Sequence, residues 1–491
     1  MQLQRAPFPS LVVTADELSA RGAFAEAQAA YLNPDPQTVA ELRARLERER
    51  VGVVAHFYMG AELQGTLYAC DWPHIHVSDS LAMADRAIAM AEAGMQNLVV
   101  LGVDFMSENV RAMVDAAGHA GVGVYRVSRD PIGCSLAESA ESLAYGAYLS
   151  KAAKTPKSLH VIYINTSLRT KAQAHNLVPT ITCTSSNVVQ TVLQAFAQEP
   201  ELNLWFGPDT YMGANLEAMF NGLVELSDDE IRALHPAHDR RSIASLSERF
   251  HYFKQGNCVV HHMFGDDVVA RVRDEYQDAM VTAHLEVPGE MFRLALAAQR
   301  AGRGVVGSTS NILQYITGQI AAAAQDPEGP RRLKFILGTE SGMVTAIVRK
   351  IRQVLRDSKA KGGRDDIEAE IVFPVASEAI ATTQDPELPI VPGIAGGEGC
   401  STAGGCATCP YMKMNSLDSM LDVLDRLGAS AGAGAGADLR ALEPRKYSET
   451  LAGQSVASLG SQPILHMRGF QKTGALPPEL LDDLRTRVPR A

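Results

Sequence analysis

Short apolar runs recur along most of the chain, each bounded by turn-forming or polar residues. Longer helix-favouring stretches, such as 80–94 and 343–357, separate them. Short continuous apolar strands that alternate with helices are typical of parallel sheets covered on both faces. The pattern therefore predicts an α/β fold, with strands at 51–58, 98–106, 121–128, 159–165, 203–207, 257–262, 279–285, 333–337 and 369–375.

The two ends of the chain have a different pattern. Residues 36–50 are charged and strongly helix-favouring, so residues 1–50 are predicted to form a helical extension. The low-complexity segment 429–437 carries too little side chain to form a core, and we expect a flexible linker there. The tail 438–491 carries some helix-like sequence. At this chain length, about three domains are expected.

Composition and charge narrow the class of protein. Apolar residues make up 46% and charged residues 21%, which is ordinary for a globular chain and excludes global disorder. A net charge of −11 argues against nucleic acid or an anionic membrane as the main partner. No stretch reaches the ~18 apolar residues of a transmembrane helix, and residues 1–10 lack the apolar core of a secretory signal. Seven cysteines are too few for a disulfide scaffold, so a cytoplasmic protein is expected.

Three predicted strand ends share a pattern of polar residues. Each places two polar side chains, separated by one residue, at the end of a strand. A hydroxyl follows where a helix is predicted to begin. Side chains at i and i+2 face the same side of a strand, and ligands bind beyond the carboxyl ends of strands in open α/β sheets. The three sets are His56 and Tyr58 with Asp79-Ser80; Tyr163 and Asn165 with Thr184-Ser185-Ser186; and His284 and Glu286 with Ser308-Thr309-Ser310.

The hydroxyls of these sets have two interpretations. Taken singly, each is more typical of plain helix capping. Taken together, three helix N-termini around one centre would attract a ligand that carries several carboxylates or a phosphate. The threefold recurrence favours the second interpretation.

One cysteine follows each of these sets, at Cys134, Cys258 and Cys409. Three thiolates could hold three irons of a 4Fe–4S cluster and leave the fourth iron open to substrate as a Lewis acid. Zinc is the alternative metal, although thiolates this dispersed are less typical of a zinc ribbon. Cys70 and Cys183 are interpreted as small buried apolar residues.

Motifs in a fixed order along residues 50–425 resemble those of quinolinate synthase, an iron–sulfur enzyme family of de novo NAD biosynthesis. Each motif is weak alone, but their order along one chain is highly specific. The motifs are Ala-His-Phe-Tyr at 55–58, Ser-Asp-Ser-Leu at 78–81, Gly-Val-Asp-Phe-Met at 102–106, Cys-Ser-Leu at 134–136, Tyr-Ile-Asn-Thr-Ser at 163–167, Thr-Ser-Ser-Asn at 184–187, Gly-Pro-Asp at 207–209, Cys-Val-Val-His at 258–261, His-Leu-Glu at 284–286, Gly-Ser-Thr-Ser at 307–310, Gly-Thr-Glu-Ser-Gly at 338–342, Gly-Glu-Gly at 397–399 and Cys-Pro-Tyr-Met-Lys-Met-Asn at 409–415.

The resemblance implies three similar three-layer α/β/α domains with parallel sheets, arranged around a pseudo-threefold axis with the active site at the centre. On this sequence the domains would be 51–156, 157–275 and 276–425, between the extension 1–50 and the linker and C-terminal extension 426–491. The resemblance also implies the activity of a transferase. Such an enzyme condenses iminoaspartate with dihydroxyacetone phosphate and forms quinolinate, phosphate and water. An L-aspartate oxidase is the expected source of the imine.

The resemblance also implies roles for individual residues. The ligands of the 4Fe–4S cluster carry over onto Cys134, Cys258 and Cys409. The substrate pocket carries over onto His56, Tyr58, Ser80, Tyr163, Asn165, Ser185, His284, Glu286 and Thr309. Glu286 is the predicted general base, because a carboxylate in a closed pocket can have a raised pKa. His56 and His284 are predicted to donate protons or to orient the substrate, and Tyr58 and Tyr163 to donate hydrogen bonds.

Some features depart from the family pattern or carry no role in it. Some members have a Cys-x-x-Cys-x-x-Cys run, whereas here Ala403 takes the first position and Cys400 lies upstream. A redox switch formed by Cys406 and Cys409 therefore stays one interpretation among others. His261 and His262, which follow a predicted cluster ligand closely, are interpreted as structural or as hydrogen-bonded to the surroundings of the cluster, with no catalytic role.

Three other functions fit parts of the sequence. An iron–sulfur enzyme of the diphthamide-synthesis kind would share the three-domain plan but needs a different pocket. A non-enzymatic redox sensor would use Cys406 and Cys409 beside an unstable cluster. A metal-free aldolase-like enzyme would need a Schiff-base lysine. Lys171 is the nearest candidate for that lysine, although nothing in its sequence context marks it as desolvated.

Overall fold

The chain forms an α/β protein with two compact units. The computed structural model describes residues 7–374, 390–391, 400–401, 408–430 and 437–490. The first unit is Met1–Asp79 with Val259–Asp438, and the second is Ser80–Cys258 with Leu439–Ala491. The predicted α/β class is confirmed, while the division into three domains and their threefold arrangement stay predictions.

The strands are short, and most of them alternate with helices along the chain. They are β1 Ser10–Val13, β2 Leu18–Arg21, β3 Val51–His56, β4 Ile75–Ser78, β5 Asn97–Leu101, β6 Gly123–Tyr125, β7 Ser158–Tyr163, β8 Thr180–Cys183, β9 Asn203–Gly207, β10 Phe250–Tyr252, β11 Met280–His284, β12 Gly304–Gly307, β13 Arg332–Gly338, β14 Glu368–Val372, β15 Ile390–Val391, β16 Cys400–Ser401, β17 Thr450–Leu451 and β18 Gln454–Ser455.

The helices follow the same order. They are α1 Ala23–Ala30, α2 Pro36–Glu49, α3 Ala61–Ala69, α4 Ser80–Glu92, α5 Asp104–Ala116, α6 Ser135–Ala140, α7 Leu143–Lys154, α8 Leu168–Leu177, α9 Val188–Gln198, α10 Thr210–Leu223, α11 Asp228–Leu234, α12 Arg240–Arg249, α13 Asp266–Glu275, α14 Gly289–Arg300, α15 Thr309–Gln325, α16 Met343–Ala360, α17 Leu417–Ser430, α18 Ala437–Arg440, α19 Val456–Thr473 and α20 Pro478–Thr486.

The first unit contains a six-stranded sheet in the order β12-β11-β13-β14-β1-β2. Strands β12, β11, β13 and β14 run parallel, and β1 continues the sheet antiparallel to β14. The apolar faces of α15 and α16 contribute Ile316, Ile320, Ile347 and Ile351 to the core beside this sheet. In the same unit β3 pairs in parallel with β4, with His56 opposite Ser78. The parallel strands bring the carboxyl ends of β11 and β12 to one edge, where His284 lies opposite Gly307.

The second unit contains a four-stranded parallel sheet in the order β10-β9-β7-β8. Tyr163, the last residue of β7, lies opposite Cys183, the last residue of β8. The residues that follow these two strands therefore leave the sheet at the same edge. In this unit β5 also pairs in parallel with β6.

The N-terminal segment departs from the helical extension predicted for residues 1–50. Helices α1 and α2 are present, but β1 and β2 form a hairpin that joins the sheet of the first unit. The apolar run of β1 buries Leu11 and Val13 in the core, and Ser10 Oγ donates to Glu370 Oε1 at 2.9 Å. The run that forms β1 is only four residues long, so the long charged helix that follows dominates the sequence pattern of residues 1–50.

One predicted strand is absent from its position. Residues 257–262 form a loop and the start of a 3₁₀ turn, His261–Met263. The apolar stretch there is only Cys258 to Val260, and the two histidines that follow it are polar, so the run is too short to complete a strand. The imidazole of His261 is nevertheless fully buried.

The C-terminal extension is packed against the second unit rather than detached from it. Helix α19 lies along α8, and His466 Nδ1 makes a hydrogen bond of 3.0 Å with Thr180 O of β8. Gly460 permits this approach, because a Cβ at that position would lie 2.3 Å from Leu168 O. Residues 431–436 of the predicted linker lie outside the described residues.

In the parts of the chain that are described, none of the helices combines the length and the apolar character that crossing a membrane requires.

We expect Gly460→Ala to destabilise the protein by about 1–3 kcal/mol, because the added methyl group overpacks the contact between α19 and α8. Gly146→Ala is the matched control, since Gly146 lies on an exposed face of α7 with open space around it. The control should raise stability by about 0.5–1 kcal/mol through helix propensity alone. Urea unfolding of both variants measures this; equal stability of the two would mean that α19 does not press on α8.

Candidate functional site

Two of the three predicted strand-end sets share one local geometry. His56 ends β3 and His284 ends β11, and both imidazoles are buried. In each set the backbone N–H two residues later donates to the Nδ1 of the histidine, from Tyr58 at 3.2 Å and from Glu286 at 3.3 Å. Since Nδ1 accepts in both rings, the proton of each neutral imidazole resides on Nε2.

The electrostatics of these two histidines agree with the neutral form. Burial lowers the pKa of His56 to about 3, although the charge of Glu286 opposes this shift. Burial lowers the pKa of His284 to about 4, again against the charge of Glu286. At neutral pH both side chains are therefore hydrogen-bond donors through Nε2–H and carry no positive charge.

Glu286 lies among buried imidazoles. The distance from its Oε2 to His261 Nδ1 is 3.1 Å, and from its Oε1 to His284 Nδ1 is 3.7 Å. The rings of His261 and His284 are stacked, with centroids 4.9 Å apart and planes inclined by 16°. Within the described part of the chain, neither nitrogen of His261 makes an aligned hydrogen bond, so its contact with Glu286 is close but not linear.

The sequence indicates no catalytic role for His261, and it does not predict that this residue lies beside the predicted base, Glu286. The sequence offered one signal, which is that His261 follows Cys258 by three residues. That spacing does not reveal a contact with Glu286, because 25 residues separate the two along the chain. The contact arises from the 3₁₀ turn that presents His261.

Tyr58 and Thr309 form the second polar group of the first unit. The Tyr58 hydroxyl lies 3.3 Å from Thr309 Oγ1, and the Tyr58 ring makes an edge contact with His56, with centroids 4.7 Å apart. Burial, reinforced by the charge of Glu286, raises the pKa of the Tyr58 phenol well above its usual value. Tyr58 is therefore a protonated hydroxyl in a site that is otherwise neutral or acidic.

The hydroxyl of Thr309 is not the cap of its helix. Thr309 is the first residue of α15, and the capping residue is Ser308, which forms a capping box with Asn311. Likewise Ser80 is the first residue of α4, and Ser185 precedes the Asn187 N-cap position of α9. Within the predicted group Ser308-Thr309-Ser310, capping is therefore confirmed for Ser308, and the hydroxyl of Thr309 is not used as the cap and can act on a ligand at the N-terminus of a 17-residue helix.

Glu340 is a buried acidic side chain that holds the backbone of Cys409 and of Gly342. Glu340 is fully buried and accepts hydrogen bonds from Cys409 N–H at 3.1 Å and from Gly342 N–H at 2.6 Å. Burial raises the pKa of Glu340 to about 8, against these hydrogen bonds and the charge of Lys413. In the sequence, Glu340 stands out only as part of the motif Gly-Thr-Glu-Ser-Gly at 338–342, which indicates no role for it.

The loop that carries Tyr58 is fixed by a buried amide. Gln64 Nε2 donates to the carbonyls of Phe57, Met59 and Gly342 at 2.6, 2.8 and 2.8 Å. A Cβ at Gly342 would lie 2.8 Å from Tyr58 Cα, so glycine is needed for this approach. These contacts hold the backbone on both sides of Tyr58 and involve neither Glu286 nor the histidines of the site.

In the second unit, the structure brings together the candidates that follow β7 and β8. Tyr163 is buried at the end of β7, Asn165 is half-buried in the turn after it, and half-buried Ser185 follows β8 at the same edge of the sheet. Ser80 is buried at the start of α4. All nine predicted substrate residues thus lie at a strand end, in the turn after one, or at or near the start of a helix.

The described cysteines separate into two groups by burial. Cys134, Cys258 and Cys409 are partly exposed, whereas Cys70 and Cys183 are buried, as predicted. Burial raises the pKa of the Cys70 and Cys183 thiols, which disfavours the thiolate form. None of these five is in a disulfide within the described residues.

Two of the three predicted cluster ligands lie next to a hydrogen bond that joins their segments. Ser135 Oγ donates to Asn257 O at 3.0 Å, which holds the residues after Cys134 and before Cys258 together within the second unit. In the first unit, the backbone of Cys409 is held by Glu340. Cys406 and the side chain of Cys400 lie outside the described residues, so the Cys406–Cys409 switch stays untested.

Lys171 is desolvated, although nothing in its sequence context marks it as such. Its side chain is fully buried, and burial lowers its pKa to about 7. Its Nζ donates to the carbonyls of Ile164 and Thr166, however, so the amine is occupied by backbone. A Schiff base at this nitrogen would have at most one N–H and could not keep both hydrogen bonds, which argues against the aldolase-like interpretation.

Comparison with known proteins gives one consistent family. The family model of quinolinate synthetase A protein matches residues 39–359. A quinolinate synthase of Nicotiana tabacum is 52% identical over 489 residues, 98% of this chain and 67% of the relative. One of Arabidopsis thaliana is 53% identical over 487 residues, 97% of this chain and 67% of the relative. One of Prochlorococcus marinus is 25% identical over 392 residues, 80% of this chain and 83% of the relative.

The plant relatives correct the expected location, and they extend the family resemblance beyond residues 50–425. They are named chloroplastic, which contradicts the cytoplasmic location expected from the sequence. This chain spans about two thirds of their length. Their match covers nearly all of this chain, and therefore includes most of the two segments outside residues 50–425. From the family match and this identity, the chain belongs to the quinolinate synthase family of NAD biosynthesis.

Proposed function

We propose that this protein is a quinolinate synthase in the full sense, a transferase that condenses iminoaspartate with dihydroxyacetone phosphate and releases phosphate and water. The observation that carries the proposal is the group formed by the buried side chains of Glu286, His261, His284 and His56 with the half-buried Tyr58. It combines one candidate base with several neutral hydrogen-bond donors, as a condensation followed by dehydration requires.

A 4Fe–4S cluster fits the thiols of the chain. Cys134, Cys258 and Cys409 are the partly exposed thiols among the described cysteines, and thiolates are the usual ligands of such clusters. The hydrogen bond between Ser135 and Asn257 supports a common site for the first two. When bound by three thiolates, the cluster would supply a Lewis acid through its fourth iron.

The helix N-termini are suited to the acidic groups of the substrates. Thr309 Oγ1 lies at the first turn of α15, where unpaired backbone N–H groups and the helix dipole favour anions. Ser80 begins α4 in the same manner, and Ser185 and Asn165 lie at one sheet edge. We assign these residues to the carboxylates of iminoaspartate and the phosphate of dihydroxyacetone phosphate.

Proton transfer is assigned to Glu286 with His261 as its partner. Glu286 would remove a proton from the condensing substrate, and His261 Nδ1 at 3.1 Å is placed to share that proton. His56 and His284 would donate hydrogen bonds through Nε2–H, and Tyr58 and Tyr163 through their hydroxyls. Of the two roles predicted for the strand-end histidines, we propose orientation of the substrate, because a ring with a pKa of about 3 or 4 is neutral at neutral pH and lacks the acidic second proton of an imidazolium.

The source of iminoaspartate is a separate reaction. The imine hydrolyses in water, so an L-aspartate oxidase that acts nearby is the proposed supplier. The decisive experiment is an anaerobic assay for quinolinate with the reconstituted protein, iminoaspartate generated in place and dihydroxyacetone phosphate. Absence of product from protein with a full complement of iron and sulfide would refute the proposal.

Single Cys134→Ser, Cys258→Ser and Cys409→Ser variants should each lose most of the bound iron and sulfide, because each removes one of three thiolate ligands. Cys70→Ser is the control, since this buried thiol should not bind iron. Iron and sulfide are measured chemically after anaerobic purification, together with the visible absorption. A cluster that survives any of the three replacements would remove that residue from the ligand set.

Glu286→Gln should retain the cluster and lower kcat by about 10²–10⁴, the usual contribution of a general base. Glu290→Gln is the control, because Glu290 is a partly exposed residue of α14 that pairs with Arg293. Quinolinate formation and iron content are measured for both variants. Wild-type kcat in Glu286→Gln would place the base elsewhere.

A further inference from the structure

The turn after β7 carries two of the proposed substrate residues, Tyr163 and Asn165. Its backbone is closed by Thr166 N–H, which donates to Ile164 O at 2.7 Å, and by Thr166 Oγ1, which donates to Tyr163 O at 3.1 Å. Ser167 then caps α8 by accepting from Thr170 N–H at 3.2 Å. The position of Asn165 therefore depends on how firmly the carbonyls on either side of it are held.

Lys171 holds both of those carbonyls. Its Nζ donates to Ile164 O at 3.1 Å and to Thr166 O, which are the carbonyls of the residues directly before and after Asn165. The side chain is fully buried, and a buried amine is costly unless its hydrogen bonds are made. The turn and Lys171 thus stabilise each other.

Glu108 connects this group to the rest of the second unit. It lies in α5, is 3% exposed, and accepts from Leu168 N–H at the start of α8 at 3.0 Å. A carboxylate at this place compensates the unpaired N–H groups of the helix and the charge of Lys171. The other oxygen of Glu108 accepts from the Tyr447 hydroxyl at 3.0 Å.

Tyr447 belongs to the C-terminal extension, and its ring is held in place by charged neighbours. The guanidinium of Arg169 lies 5.2 Å from the ring centroid and that of Arg445 lies 5.6 Å from it. Arg169 also forms an ion pair with Glu449. Further along, α19 packs on α8 where Gly460 meets Leu168 O. The extension therefore contacts α8 at the first turn of the helix, on its side chains and on its backbone.

We infer that the C-terminal extension positions the substrate turn at Tyr163 and Asn165, through a buried chain of hydrogen bonds and charge that runs from Tyr447 to Glu108 and from there to α8 and Lys171. Tyr447, Glu108 and Lys171 are positioning residues: they act on the substrate through the backbone of the turn. The inference rests on the proposed function for the identity of the substrate, but the ordering of the turn is a property of the chain itself.

The test uses Tyr447→Phe in the full-length protein with its cluster. The change removes one hydroxyl and leaves the ring and its packing. We expect kcat/KM to fall about 3- to 10-fold, mainly through a higher KM, because the loss of one hydrogen bond to a carboxylate loosens the turn without touching the reacting groups. Amide hydrogen exchange in residues 163–170 should become faster, while iron content stays at the wild-type level.

Tyr252→Phe is the matched control. Tyr252 also shares a hydrogen bond with a carboxylate, Glu217, but lies in β10, which β9 separates from β7. It should leave both KM and the exchange of residues 163–170 unchanged. Lys171→Met removes the amine itself and should raise KM further, with a larger increase of exchange in the same residues.

The outcomes separate the inference from the proposed function. If the wild-type protein makes no quinolinate, the proposed function fails, and the exchange of residues 163–170 in Tyr447→Phe and Lys171→Met still decides whether the network orders the turn. Wild-type exchange in both variants would overturn the inference. A lower unfolding temperature of Tyr447→Phe with unchanged KM and unchanged exchange would also overturn it, since that is the signature of a role in global stability alone.

Discussion

The Glu286 carboxylate is 4% exposed, and the arrangement around it follows from the need to compensate it. A carboxylate removed from water is strongly destabilised unless neighbouring groups share a proton or a positive charge with it. The nearby strand-end histidines cannot do this through Nδ1, because that nitrogen already accepts a backbone N–H in both His56 and His284. His261, with Nδ1 at 3.1 Å from the carboxylate, is the ring that can. The proposed pairing of Glu286 with His261 therefore follows from which imidazole nitrogens already accept a backbone N–H.

The same constraint explains why the two strand-end histidines are neutral rather than cationic, although the proposed substrates are acidic. Protonating His56 or His284 would place a charge in a buried position, and it would put a second proton on a ring whose Nδ1 must accept. Attraction for anions then has to come from elsewhere. The start of α15 can supply it, because the capping by Ser308 leaves the Thr309 hydroxyl available beside the first turn. In the proposed site, a helix dipole and neutral hydrogen-bond donors would bind the anionic groups that lysine or arginine would bind in a more exposed site.

The sequence predicted the α/β class and the positions of most central strands, because runs such as 159–165 and 333–337 are apolar on both faces of a covered sheet. It missed β4, β8, β10 and β12, which are three or four residues long and mix apolar with polar or glycine residues, so that only pairing defines them. The hairpin of β1 and β2 was missed because its pairing partner, β14, lies more than 350 residues away. Such contacts leave no local periodicity.

The candidate site divides in the same way. His56, Tyr58, His284 and Glu286 could be found because each pair lies two residues apart at a strand end. His261 and Glu340 could not, because their roles come from contacts between segments distant in sequence: His261 with Glu286, and Glu340 with the backbone of Cys409. Burial separates Cys70 and Cys183 from the partly exposed cysteines, and it makes Lys171 a desolvated amine. The burial of a single polar residue cannot be predicted from its neighbours in the sequence.

The three strand-end sets are alike in sequence but are held in different ways. At β3 and β11 a histidine Nδ1 accepts the N–H two residues later, so the strand end carries its own anchor. At β7 the corresponding residue is Tyr163, whose phenol oxygen is at the tip of a long side chain and cannot take the place of Nδ1 beside the backbone. The turn there is anchored from outside, by Lys171 on the carbonyls that flank Asn165. An anchor supplied by the following helix must itself be fixed, and Glu108 and Tyr447 fix it. On this argument the C-terminal extension is needed where the repeat replaces histidine by tyrosine, and the two sets with histidine have no need of an equivalent.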